Sequence, residues 1–165
     1  MIGGGLPAGA VGGRAELMNM LAPAGEVYQA GTLSGNPLAV AAGLATLRML
    51  DDGAYLRLAA ITEQLADGLR RAAAGYPVQV ISKPGLLTVF FSERPIADLE
   101  DAQHCDLGAY AAWARGLYSR GVYLPPSQFE AWFPSLAHTP EQLDSTLAAA
   151  VAAFASLEDP RGPVS

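Results

Sequence analysis

The chain is predicted to be α/β and to fall into two parts, and three observations carry that expectation. A helical stretch near residues 36–50 is apolar on almost every face, and Asp51-Asp52-Gly53 ends it. The helix that follows, near residues 54–74, is instead amphipathic. After it come two short β-forming runs joined through Lys83-Pro84-Gly85, the order expected of a small α+β unit. Residues 1–50 are therefore assigned to the end of one domain, 51–158 to a small C-terminal α+β domain, and 159–165 to a disordered tail.

The first segment, Ile2 to Gly13, carries Gly3, Gly4, Gly5, Gly9, Gly12 and Gly13 among apolar residues, which predicts a tight loop and a short buried strand. Gly3-Gly4-Gly5 lacks the Lys-Ser/Thr ending of a phosphate loop and the spacing of a dinucleotide fingerprint, so neither motif is present. Arg14 to Leu21 reads as a short helix closed by Pro23 and Gly25.

The polar loop Tyr28-Gln29-Ala30-Gly31-Thr32-Leu33-Ser34-Gly35-Asn36-Pro37 then runs into the apolar helix. Ser34 or Asn36 serves as N-cap and Pro37 occupies the first turn. Two readings stand for this corner. One is an ordinary capped helix start; the other is an anion site, in which free helix amides, the positive end of the dipole and the Thr32 and Ser34 hydroxyls meet a phosphate or carboxylate. Beyond it, Val40, Leu44 and Leu47 recur at helical spacing with alanines filling the other faces, the pattern of a helix buried in a core or at a subunit contact.

On the next helix Leu58, Ile61, Leu65 and Leu69 form the core stripe. Val78 to Ile81 and Leu86 to Phe91 are the paired strands. Lys83, the only lysine, sits in the turn between them and is expected to be solvated, unlike an enclosed amine that attacks an aldehyde. The acidic stretch from Ser92 to Leu107 reads as a solvated loop, and adjacent His104 and Cys105 lack the second spaced pair a metal site needs. Tyr110, Trp113, Ala114 and Leu117 mark a further helix stopped by Gly121, and Val122 to Leu124 a third strand.

Pro125-Pro126-Ser127-Gln128-Phe129-Glu130-Ala131-Trp132-Phe133-Pro134 is an extended aromatic loop with one carboxylate, Glu130. That carboxylate is either tied into a structural pair or placed for a substrate. His138 belongs to the following loop with a hydrogen-bonding role. Thr139, Pro140 and Gln142 then compose a cap, first-turn proline and capping box for a last helix reaching about Leu157, with Leu143, Leu147, Val151 and Phe154 as its buried stripe.

Composition excludes several classes. The net charge is −6 and the pI about 4.7, with no basic cluster beyond Arg70-Arg71, which argues against a nucleic-acid partner. No apolar run approaches the roughly 20 residues of a membrane span, and no signal peptide is indicated. A single cysteine, Cys105, fits a reducing, cytoplasmic setting.

Four stretches together resemble the glutamate-1-semialdehyde 2,1-aminomutase family of the class III aminotransferases: Ile2-Gly3-Gly4-Gly5-Leu6-Pro7, Gly12-Gly13-Arg14, the loop from Tyr28 to Pro37, and Pro126-Ser127-Gln128-Phe129-Glu130-Ala131. The resemblance covers the chain to about Leu157 and only the C-terminal part of the family's sequence. It implies a fold-type-I enzyme using pyridoxal 5'-phosphate, with residues 1–50 ending the large cofactor domain. It further implies conversion of glutamate-1-semialdehyde to 5-aminolevulinate for tetrapyrrole synthesis. By the same resemblance the Gly31 amide and Thr32 hold the cofactor phosphate across the interface of a homodimer, and Glu130 faces the substrate. The family's Schiff-base lysine would stand one position before Met1, so no catalytic residue is assigned within the chain. Trp132 departs from the family's small residue and places extra bulk beside Glu130. The alternatives are another class III aminotransferase and a non-catalytic dimerising module.

Overall fold

The computed structural model describes residues 2–157, so the expected tail at 159–165 lies outside the described residues. The chain divides into two compact units, one ending at Gly53 and the other beginning at Ala54.

The first unit is mostly loop. Ile2 to Gly13 forms turns, a bend and irregular backbone without a strand, so the buried strand expected there is absent, and only Gly3 in that stretch is buried. Its helices are α1 (Ala15–Met18) and α2 (Pro37–Arg48). Gly43 on α2 lets the chain pass close by: a Cβ there would lie 2.9 Å from the Ile2 carbonyl oxygen. The expectation that α2 is covered all round is not met within this chain. Ala39 and Gly43 are its buried residues, while Leu38, Val40, Leu44 and Leu47 are exposed.

The second unit contains, in order, α3 (Asp52–Ala72, from Ala54 onward), β1 (Val78–Lys83), β2 (Leu86–Phe91), α4 (Leu99–Gln103), α5 (Leu107–Tyr118) and α6 (Pro140–Leu157). The strands pair antiparallel from Val78 opposite Phe91 to Lys83 opposite Leu86. That register leaves Pro84-Gly85 as a two-residue turn, and Gly85 takes φ +85°, a conformation glycine adopts freely. The Gly85 amide donates to Thr62 Oγ1 at 3.0 Å, which fastens the turn to α3. Period-2 alternation puts Leu87, Val89 and Phe91 on the buried face of β2.

Those three pack with Leu65 and Leu69 of α3, Trp113 and Leu117 of α5, and Phe154 of α6 in one core. Trp113 is its hub: the ring centroids of Phe91, Tyr110, Trp132 and Phe154 lie 5.9, 6.2, 5.9 and 5.0 Å away. The stripe expected on α6 is displaced at one position. Val151 is exposed, and Ala150 and Ala153 join Leu143 and Phe154 in the core. Small side chains win that face because α5 comes very close: a Cβ on Gly116 would lie 2.9 Å from Ala153 Cβ.

Gly116→Ala therefore sets two effects against each other. Helix propensity favours alanine by about 1 kcal/mol, whereas overpacking against a backbone-fixed methyl costs about 1–3 kcal/mol. Urea unfolding should show a net loss of stability; a gain would mean that the two helices are not in tight contact.

Two expectations fail near the sheet. Val122 to Leu124 is not a strand. Instead Trp132 meets β2, its amide donating to the Leu87 carbonyl at 2.8 Å and its carbonyl accepting from the Leu87 amide at 3.1 Å. The acidic stretch also holds a helix, α4, where a loop is expected. Asp98 caps it by accepting from the Asp101 amide at 3.0 Å, while Asp101 Oδ2 accepts from the Ala97 amide at 2.9 Å.

Candidate functional site

The loop before α2 is a chain of turns. The Gly31 carbonyl accepts from the Ser34 amide at 2.9 Å and the Leu33 carbonyl from the Asn36 amide at 3.1 Å, with Gly35 at φ +69°. Asn36, not Ser34, is the N-cap: its Oδ1 accepts from the Leu38 and Ala39 amides at 3.0 and 3.2 Å. Its carbonyl takes the Val40 amide at 2.9 Å, and Pro37 has no N–H to offer. The amides of the first helical turn are thus consumed locally, which leaves the preceding loop as the source of donors open to an anion.

Free donors remain one turn earlier. Among the described residues the amides of Gly31, Thr32 and Leu33 and the hydroxyls of Thr32 and Ser34 have no hydrogen-bond partner, and Thr32 is exposed. A Cβ on Gly31 would lie 2.8 Å from Ser34 Oγ, a contact the serine side chain relieves by rotating. Several uncharged donors without partners on one short loop are of the kind that can hold the oxygens of a phosphate. A hollow of about 440 Å³ opens between Gly31, Leu33, Ser34, Gly35 and Asn36 on one side and Pro7, Ala8 and Gly9 on the other. Thr32 does not line it.

The second candidate, Glu130, lies in the other unit on a loop held at four points. Tyr118 donates its hydroxyl to the Leu124 carbonyl at 2.6 Å and Tyr110 to the Pro125 carbonyl at 2.7 Å. Gln128, 1% exposed, donates Nε2 to the Ala102 carbonyl of α4 at 3.3 Å. Trp132, 7% exposed, pairs with Leu87 and stacks on Trp113 with the rings 17° apart. Between the last two ties the tip is exposed at Phe129 and Glu130, closed by the Glu130 amide donating to the Ser127 carbonyl at 3.1 Å. Phe133 is also exposed, so the apolar enclosure expected around the Glu130 carboxylate is not formed by its neighbours in this chain. Trp132 turns its bulk into the core, against Trp113.

The Tyr110 clamp has a pH signature. Burial pushes its phenol up to about 12, opposed by the Trp132 indole and aided by the charges of Tyr118 and Glu130. An unfolded tyrosine ionises near 10, so the stabilisation is fully present below pH 10 and is lost as pH rises through 12. Between pH 9 and 11 the chain should lose about 1.4 kcal/mol more stability than Tyr110→Phe, compared by urea midpoints. Equal losses would show that the phenol is not enclosed.

Lys83 is exposed at the hairpin turn, as expected. His138 accepts from the Ser135 amide at Nδ1, 2.9 Å away, and the capping box forms with the Thr139 amide donating to Gln142 Oε1 at 2.9 Å. Cys105 is buried, its thiol pushed up by burial and donating to the Asp101 carbonyl at 3.6 Å. Among the described residues no group of histidine, cysteine and carboxylate side chains could hold a metal ion, and no helix is long and apolar enough to cross a membrane.

Similarity to known proteins runs through both units. The family described as Aminotransferase class-III matches residues 1–153. A Desulfatibacillum aliphaticivorans protein named glutamate-1-semialdehyde 2,1-aminomutase is 53% identical over 153 residues, covering 91% of this chain and 36% of its own length. Among solved structures, an omega-transaminase from Sphaerobacter thermophilus superposes with TM-score 0.82 at 26% identity, over 96% of this chain and 37% of its own. The FumI protein of Sphingopyxis sp. MTA144, solved in a PLP form, gives TM-score 0.65 at 26% identity over 80% of this chain and 30% of its own. The chain thus spans a little over one third of the length of the curated relative it matches.

Proposed function

This chain belongs to the class III aminotransferases, and on that premise we propose that it furnishes the C-terminal part of a glutamate-1-semialdehyde 2,1-aminomutase, an isomerase producing 5-aminolevulinate for tetrapyrrole synthesis. The carrying observation is 53% identity to a relative of that name across nine-tenths of the chain. A homodimer in the cytoplasm, acting on a small-molecule substrate, is part of the same proposal.

Pyridoxal 5'-phosphate, when bound, supplies the electron sink for moving the amino group. The first unit contributes the Gly31 amide and the Thr32 hydroxyl as donors to the phosphate of the cofactor held in the neighbouring subunit. Their outward exposure and lack of other partners support that role, because a group carried by another subunit reaches them without displacing an internal bond. The second unit contributes Glu130, whose carboxylate attracts the cationic amino group of the substrate and orients it. The amine that links the cofactor covalently is assigned to no residue here, and exposed Lys83 is unsuited to it.

The test is a chimaeric enzyme in which this chain replaces the matching segment of the Desulfatibacillum relative. Thr32→Val keeps the side-chain shape and deletes one charge-assisted hydrogen bond, on the order of 1.5–3 kcal/mol. Cofactor affinity should fall about tenfold or more, with the melting temperature of the cofactor-free protein unchanged. Unaltered affinity accompanied by lower stability would make Thr32 part of the loop's scaffold and remove it from the cofactor site.

A further inference from the structure

The loop that presents Glu130 contains one side chain whose placement a simple packing role does not explain. Gln128 is 1% exposed, and its Nε2 donates to the Ala102 carbonyl at 3.3 Å with the Cys105 thiol as a second neighbour. Its Oε1 has no partner among the described residues. An amide left half-satisfied in a buried place is a poor way to fill space, since an apolar side chain of similar length would avoid the desolvation cost. What the amide adds is direction. It ties the Ser127–Glu130 turn to the C-terminal half of α4, which is itself pinned by the caps of Asp98 and Asp101. Within that turn the Phe129 amide donates to Ser127 Oγ at 3.2 Å and the Glu130 amide to the Ser127 carbonyl at 3.1 Å. Gln128 points inward from the same turn that holds Glu130 outward.

We propose that Gln128 is a positioning residue for Glu130: its buried amide, anchored on the Ala102 carbonyl, fixes the turn and thereby the place from which the Glu130 carboxylate meets the substrate's amino group. The inference rests on the substrate role given to Glu130 above. It makes Gln128 act through Glu130 alone, so losing either should have the same consequence.

The decisive variant is Gln128→Met, which keeps length and burial and deletes the amide. In the present chain its melting temperature should stay within a few degrees of the parent, while hydrogen exchange at the Phe129 and Glu130 amides becomes about tenfold faster. Unchanged exchange overturns the proposal. Should the methionine variant not fold, Gln128→Asn, which withdraws the amide by one methylene, gives the same comparison. In the chimaeric enzyme Gln128→Met should lower kcat/KM about tenfold with cofactor affinity intact, and should cost less than about twofold when Glu130→Gln is already present. Equal losses in the two backgrounds mean that Gln128 does not act through Glu130. A loss on Glu130→Gln without one on Gln128→Met overturns the positioning role alone, whereas normal kinetics for Glu130→Gln removes the substrate role and this inference with it.

Discussion

Replacing Trp113 by alanine should destabilise the chain by about 3–5 kcal/mol, a large part of the roughly 5–15 kcal/mol available to an ordinary domain. Trp113 is fully buried and touches aromatic rings from β2, α6 and the Glu130 loop, so the cavity left behind would open between those elements. Its indole N–H has no hydrogen-bond partner among the described residues, which means the loss comes from packing and not from a broken polar contact. Trp113→Phe retains most of the stacking and should cost markedly less. Urea titration of the 165-residue chain measures both. A loss under about 1.5 kcal/mol for the alanine variant would show that the core is not organised around this ring.

Glu130→Gln is expected to lower kcat/KM of the chimaeric enzyme by about ten- to a hundredfold, equivalent to about 1.4–2.7 kcal/mol of transition-state stabilisation. The substitution keeps volume and one acceptor and removes the charge that attracts a cationic amine. Stability should change little, because the Glu130 side chain is exposed and makes no hydrogen bond or ion pair among the described residues. Cofactor affinity should also survive, since the donors proposed for the phosphate lie on the Gly31–Leu33 loop. Near-normal kinetics together with a lowered melting temperature would assign Glu130 to holding its loop.

Elements with a strong repeat were legible in the residues alone. The stripe on α3 and the aromatic face of α5 follow helical spacing, and the Pro84-Gly85 turn between alternating strands announces the hairpin. The last helix was legible in extent and in its face except at Val151, because alanine carries no hydrophobic signal strong enough to outrank that residue. The close approach that favours Ala150 and Ala153 depends on Gly116 of another element. Helix α4 was hidden by its acidity, although Asp98 and Asp101 at capping spacing were the available signal. Nothing local marks Trp132 as the partner of Leu87, a contact set by the fold. At the candidate site the residue types were readable and their geometry was not. Asn36 uses one oxygen to satisfy two amides of α2, so the donors left over belong to the preceding loop. Likewise, the aromatic company of Glu130 in sequence says nothing of its exposure, since the Ser127–Glu130 turn buries Gln128 and leaves Phe129 and Glu130 outside.

The most direct test of the whole account is turnover of glutamate-1-semialdehyde by the chimaeric enzyme carrying this chain in place of the relative's matching segment. If the chain is the C-terminal part of an aminomutase, 5-aminolevulinate should form without added amino donor or acceptor, at a kcat/KM within about tenfold of the unmodified relative. A folded, cofactor-bound chimaera that makes no 5-aminolevulinate, yet exchanges amino groups between a separate donor and acceptor, would contradict it and place the chain with the transaminases of the same family.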